Sequence, residues 1–101
     1  MLIYNIQLNV DDSIHDEWFE WMKKKHIPDV MNTGCFKESK IFRVLSPEPE
    51  EGTTNYVVHY VCNNLEDYEK YQIEHAAFLQ SEHKDKFGTK FTVYRTLMEK
   101  A

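Results

Sequence analysis

Residues 55–62 read Asn-Tyr-Val-Val-His-Tyr-Val-Cys, and few local structures accept such a run. β-Branched and aromatic side chains crowd a helix but pack well on a pleated sheet. The stretch is therefore a strand, and its side chains alternate between two faces. Tyr56, Val58, Tyr60 and Cys62 point one way, and Val57, His59 and Val61 the other. Both sets are largely apolar. A strand with one side in water alternates apolar with polar, whereas one covered on both sides does not. Whatever surrounds this strand must cover it twice.

The remaining elements follow from similar patterns. In residues 2–10, Leu2, Tyr4, Ile6, Leu8 and Val10 share one face and Ile3, Asn5, Gln7 and Asn9 the other, which predicts a strand. Ser13 with Asp16 fits a capping box for a first helix, whose apolar arc is Ile14, Trp18, Trp21 and Met22. Acids crowd its start, and Lys23, Lys24 and Lys25 stand at its expected end, the polarity that the helix dipole favours. Pro28 lacks an N–H and pushes the preceding residue out of the helical region. A pause at His26–Ile27 is expected, with a further turn opened by Pro28 and running to Met31. Asn32-Thr33-Gly34 closes it.

Residues 35–45 predict a second strand with scattered charge, and 46–54 an acidic, proline-rich turn. Asn63-Asn64 caps a second helical region from Leu65 towards Phe87, stopped by Gly88. Such a helix spans about 35 Å. The strands it covers reach only roughly 26–34 Å, so a break is expected near Glu74–Ala77. Residues 90–98 predict the last strand.

The order β-α-β-β-α-β predicts an α+β, ferredoxin-like fold in one domain over residues 1–101: a four-stranded antiparallel sheet, strand order 4-1-3-2, helices on one face. The second face is apolar at Val57, Val61, Tyr94 and Met98. A second copy is the expected cover, which makes a homodimer through the sheet faces. Phe36, Phe42 and Val44 are expected to share one face of the second strand, opposite Ile41 and Leu45.

A formal charge of −5 argues against nucleic acid and anionic membranes as partners. No run approaches the roughly 18 apolar residues of a membrane span. The start, MLIYNIQLNVDD, lacks a basic leader, so a cytoplasmic location is expected, with Cys35 and Cys62 as buried thiols.

Three stretches carry a resemblance: YNIQLNVDDSIHDEWFEWM, HIPDVMNTGCF and EHAAFLQSEHKDKFG. Together with the element order, they resemble a small bacterial family of unknown function within the dimeric α+β barrel superfamily. That superfamily includes antibiotic-biosynthesis-type monooxygenases, small haem-degrading oxygenases, muconolactone isomerases and stress-responsive barrel proteins. The resemblance implies the fold and the dimer and no particular activity. Asn5 and His75 are the positions here nearest the Asn, Trp and His pattern of the haem-degrading members. The tryptophans depart from it, lying on the first helix.

Candidate chemistry rests on few residues. His26 and His75 are the candidate catalytic groups, because histidine titrates near neutrality and His75 falls at the expected helix break. His26 equally suits a helix C-terminus, where a charged imidazole is favoured. Asp29 reads as helix punctuation. Tyr4, Trp18, Trp21, Arg43, Tyr60, His83 and Arg95 are candidate ligand-binding residues: indoles and phenols as walls, arginines for a carboxylate or for an acid across the dimer. His75 and His83, eight apart, are too few for a zinc site, so no metal is expected. No cofactor motif appears: no Walker loop, no GxGxxG, no GxSxG. The function this supports is binding of a small planar or carboxylate ligand, or cofactor-free oxygenase- or isomerase-like catalysis, in a cleft between sheet and helices. The alternative is a non-catalytic dimeric structural or interaction module. A cavity of roughly 300 Å³ or more with convergent polar groups would favour the former.

Overall fold

The structure, a computed structural model, describes residues 1–101. Strands β1 (Leu2–Asp11), β2 (Glu38–Arg43), β3 (Thr53–Cys62) and β4 (Phe91–Glu99) form one antiparallel sheet in the order β2-β3-β1-β4. Two helical regions pack on one face of it. The first is α1 (His15–Trp21), a π-helical segment (Met22–His26) and α2 (Ile27–Asn32). The second is α3 (Leu65–Tyr71), a π-helical segment (Gln72–Ala76) and α4 (Ala77–Phe87). This is the ferredoxin-like fold that the patterning predicts.

Register fixes what faces the helices. Tyr4 opposes Tyr60 and Leu97, Ile6 opposes Val58 and Arg95, and Leu8 opposes Tyr56 and Val93. These positions, except the exposed Arg95, join Trp18, Met22, Val30, Tyr71, Leu79 and Phe87 in or against the core. Each side chain of this size contributes about 1.5–3 kcal/mol when fully buried.

The helix ends depart from expectation in informative ways. Ser13 does not cap α1. Instead Asp11 Oδ1 accepts from the Ser13 N–H at 2.9 Å, and Ile14 stands at the cap with no side-chain bond. No pause occurs at His26–Ile27 either, since both residues keep helical angles. The chain absorbs Pro28 by widening the preceding turn: the Ile27 N–H reaches back five residues to Met22 O. A proline ring clashes with the carbonyl four residues earlier, here that of Lys24, and a π segment moves that carbonyl away. The lysine run therefore lies inside a helix that continues to Asn32. It is held by ion pairs, Lys24 with Glu20 and Lys25 with Asp29 (2.9 Å), rather than by a helix end. The expected break near Glu74–Ala77 is likewise a π segment, Gln72–Ala76, with helical angles retained at Ala77. Asn64 does cap α3, accepting from the Asp67 N–H, and Gly34 and Gly88 turn the chain at φ 77° and 60°.

β2 is shorter than expected. Cys35 and Phe36 precede it and are buried on the helix side, where Phe36 meets Tyr60 at 5.2 Å. Phe36 and Phe42 thus do not share a face: Phe42 is on the uncovered one, against His59. Cys62 and Cys35 are free, buried thiols.

The uncovered face carries Ile3, Val57 and Val61, with exposed Phe42, Tyr94 and Met98 towards its edges. Asn5, Gln7, Asn9 and Asn55 run through its centre, and the Asn9 amide bridges Thr53 and Asn55. It is less apolar than the alternation of β3 alone implies.

Candidate functional site

Sheet and helices enclose a cavity lined by Tyr4, His26, Tyr60, Tyr71, Gln80, His83 and Arg95 among others. Its volume is about 20 Å³, room for about one water. Gln80, His83, Val93 and Arg95 also wall a cleft of about 410 Å³ between the end of α4 and β4, joined there by Lys84, Thr89 and Phe91. The enclosed part falls far below ligand size. The adjoining cleft lies within the roughly 300–1,000 Å³ range of small-molecule sites.

His26 and His83 form the wall between helix and cavity. His26 comes from the first π segment, and such segments recur at functional sites because the widened turn re-aims side chains. Its ring stacks on Trp21 at 5.0 Å and lies 5.2 Å from His83. It is 8% exposed, and its Nδ1 has no hydrogen-bond partner. Burial pushes its pKa down to about 4; Asp29 opposes this, while Arg95 and Lys25 add to it. His83 lies flat on Phe91, rings 3.9 Å apart, and Nε2 accepts from the Trp18 indole N–H at 2.9 Å. That bond uses the lone pair on Nε2 and places the neutral ring's proton on Nδ1. Burial, then His26 and Arg95, pushes its pKa down to about 3. Both rings are neutral in ordinary buffer.

The opposite wall is phenolic. Tyr60, 1% exposed, has a hydroxyl without a partner, and burial raises its pKa far above the usual phenol range. Burial raises Tyr71 as well. Tyr4 is raised by burial too, in part offset by Gln72 and the Arg95 guanidinium. The cavity thus meets neutral, hydrogen-bonding groups inside and a cation towards solvent.

Of the residues singled out in the sequence, Tyr4, His26, Tyr60, His83 and Arg95 line this one space. Trp21 backs both histidines, and Trp18 is fully buried behind His83. His26 does not sit at a helix C-terminus, so a dipole role is excluded for it. His75 lies elsewhere, in a groove of about 320 Å³ between the helical regions with Asp29, Asn32, Glu74 and Phe78. Arg43 is exposed on edge strand β2, beside a surface depression containing Glu48 and Glu50. Asn5 is on the uncovered face, so it and His75 do not converge. No three His, Cys, Asp or Glu side chains are grouped to hold a metal ion.

Sequence reading misses Tyr71, Gln80, Lys84 and Phe91 as lining residues. For Phe91 a signal exists. Arg95 shares the core-facing parity of Phe91 and Val93, and a charge at such a position marks an opening.

Several solved structures share the fold. A Bacillus halodurans protein of the ethyl tert-butyl ether D (EthD) family superposes with a TM-score of 0.68 at 16% identity, covering 100% of both chains. A dimeric ferredoxin-like protein from an uncultured marine organism gives 0.69 at 13% identity, covering 99% of this chain and 96% of that one. SnoaB, a cofactor-independent oxygenase from Streptomyces nogalater, gives 0.63 at 12% identity, covering 98% and 92%. Identities this low establish the fold alone. A search of curated proteins finds no match. A family profile described as "Domain of unknown function (DUF4286)" matches residues 1–101.

Proposed function

The chain belongs to the DUF4286 family, and from that premise we propose that it binds a small planar anion, carboxylate outward, in the cleft between sheet and helices. Charge distribution is the observation that carries this reading. The chain has seventeen acids against twelve bases, yet no Asp or Glu lines either the cavity or the cleft. Arg95 and Lys84 stand there, and neither joins any ion pair. An arginine presents a planar fork that matches a carboxylate through two parallel bonds. Phe91 and Val93 offer the flat apolar wall. A polar group at the inner end would satisfy His26 Nδ1 and Tyr60 Oη, each a buried atom now without a partner.

The same arrangement suits cofactor-free catalysis. A neutral histidine against a bound ligand accepts a proton, and the Tyr60 hydroxyl lines the same cavity as a hydrogen-bonding group. Isomerase- or oxygenase-like chemistry on an acidic C–H or O–H fits this, with the Streptomyces oxygenase as an analogy of fold only. His75, in its separate groove, has no part in the reading. The small enclosed volume favours a second reading, a non-catalytic dimeric module whose polar pocket holds only water. In both readings the working form is a homodimer through the uncovered sheet face, whose half-buried Ile3, Val57 and Val61 need cover. The uncultured-marine neighbour is itself described as dimeric.

Titration with 4-hydroxybenzoate and related aromatic carboxylates, followed by tryptophan fluorescence, tests the first reading. Arg95→Gln should weaken binding by about tenfold or more, the equivalent of one charge-assisted contact, with the melting temperature unchanged because Arg95 is exposed and unpaired. His26→Ala should weaken binding of the hydroxyl-bearing acid more than of its unsubstituted parent. Absence of saturable quenching, or equal affinity in Arg95→Gln, supports the module reading instead.

A further inference from the structure

Behind the pocket wall lies a run of aromatic rings that the binding reading does not use. Trp21 and Trp18 both pack on His83, at centroid distances of 5.2 and 6.3 Å. Trp18 then meets Tyr56 at 5.3 Å. Tyr56 is 5% exposed, and its hydroxyl lies 2.7 Å from His15 Nε2. His15 Nδ1 lies 2.8 Å from the carboxylate of Asp16, which is fully in solvent. A carboxylate only accepts, so Nδ1 carries the proton and Nε2 offers its lone pair to the phenol. The run begins at the pocket and ends at the surface.

We propose that this run conducts an electron hole out of the pocket, with Tyr56 as its terminus and His15 as the proton acceptor that fixes it there. Indole and phenol are among the side chains most readily oxidised by one electron, and successive rings here stand at the separations of packed aromatic pairs. Tyrosine oxidation also needs somewhere for its proton to go. A phenol radical cation is a very strong acid, so a hydrogen-bonded base decides which tyrosine is oxidised. The chain has six tyrosines; the hydroxyl of Tyr56 bonds to a base, whereas that of the more deeply buried Tyr60 has no partner.

The steps balance. A one-electron oxidant in the pocket, such as an organic peroxyl radical, takes an electron from Trp21 or Trp18 and leaves as the hydroperoxide anion. The hole settles on Trp18, whose indole proton has an acceptor at His83 Nε2, 2.9 Å away. An electron from Tyr56 then restores Trp18, and the indole proton returns. The phenolic proton of Tyr56 passes to His15 Nε2, giving an imidazolium paired with Asp16 and a neutral tyrosyl radical. Net, one electron leaves Tyr56 for the oxidant, and one proton moves from Tyr56 to His15. Such a route would draw oxidising equivalents away from the pocket's histidines and from the buried thiols. It requires no particular ligand, so it stands or falls separately from the binding reading.

The experiment places the oxidant at the cleft mouth. Lys84→Cys is labelled with a ruthenium polypyridyl complex, Cys35 and Cys62 being buried, and ruthenium(III) is generated by flash and quencher. Freeze-quench electron paramagnetic resonance should show a tyrosyl radical, and transient absorption its growth as tryptophan radical decays. Tyr56→Phe should abolish the tyrosyl signal and prolong the tryptophan radical. His15→Gln, at a half-buried surface position, should slow tyrosyl formation by about 100-fold, the low end of what a positioned base contributes. Trp18→Phe should block the transfer, but it removes a fully buried core residue, so Tyr56→Phe and His15→Gln are the deciding variants. Tyrosyl radical persisting in Tyr56→Phe, its loss in Tyr94→Phe, or an unchanged rate in His15→Gln would overturn the proposal.

Discussion

His26 and His83 stand ring against ring without charge, and that single fact sets how the protein responds to acid. In the unfolded chain His26 titrates at its ordinary value of 6.5, whereas folded it titrates at about 4. Between those values the unfolded state binds more protons, so stability falls as pH falls. Above 6.5 the effect is fully present, and below 4 both states are protonated and the loss levels off. His83, held down to about 3, extends the window at its acid end. The His26 contribution is on the order of 3 kcal/mol across the window. Chemical denaturation in steps from pH 7.5 to 4.5 should show this decline, and His26→Leu should cut its slope by about half, because buried His83 contributes over the same range. Leu fills a similar space and removes an unpartnered buried nitrogen, so at pH 5 the variant should be the more stable. This is the reverse of what a histidine at a helix C-terminus would do, since that histidine stabilises while charged and loses its effect as pH rises. The sequence alone places His26 beside the apolar arc. It does not pair His26 with a second histidine, because the first helix and His83 are brought together by tertiary packing, with Trp18 bonding His83 across 65 positions.

At the scale of elements, the central strands, the α3 cap and the glycine turns are legible because each depends on local chemistry: alternation in β1 and β3, an Asn side chain at the start of α3, positive φ at Gly34 and Gly88. The Ser13 cap expected for α1 is not formed. The π segments are not legible. A π turn uses the same residue types as an α turn and differs only in which carbonyl the N–H reaches. The sequence shows that Pro28 must disturb the helix and that the second helix is too long for its strands, but not that both are relieved by widening. The consequence for Pro28 is specific. The helix already runs to Asn32, so Pro28→Ala should leave helical circular dichroism nearly unchanged rather than extend it. Restoring the N–H and removing the ring should let Met22–His26 relax towards an α turn, displacing His26. Nuclear magnetic resonance titration should then find its pKa nearer the ordinary value of 6.5 than 4. Asp29→Ala is milder. It removes a solvent-exposed pair with Lys25, a small loss of stability that salt should diminish.

For the whole molecule, the uncovered sheet face is the largest unanswered demand. The alternation of β3 alone implies a fully apolar second face, and the assembled sheet tempers that expectation. The central strip is amide-rich, with Asn5, Gln7, Asn9 and Asn55, while Ile3, Val57, Val61, Phe42 and Met98 surround it. Asn5 is already 7% exposed in the single chain, so a second sheet laid over it must supply hydrogen-bond partners. A two-fold arrangement does this simply, because the same amides return from the partner as donors and acceptors. Val57 and Val61 lie on the strand next to centre, and neither has a charge opposite it across β1, where their neighbours are Gln7 and Ile3. Val57→Asp would place a carboxylate directly opposite Gln7 and Phe42, neither of them a cation, at a cost of several kcal/mol if the face is covered. If the face is open to water, the same carboxylate remains solvated and costs little. Multi-angle light scattering should therefore report a dimer at micromolar concentration for the native chain and a monomer for Val57→Asp, with a melting temperature that depends on concentration only in the native protein. Tyr94→Ser removes apolar area at an exposed position without adding charge and should weaken the dimer while leaving it folded. A native chain that stays monomeric, with Val57→Asp melting where the native chain melts, would leave the face open to water and exclude the dimer.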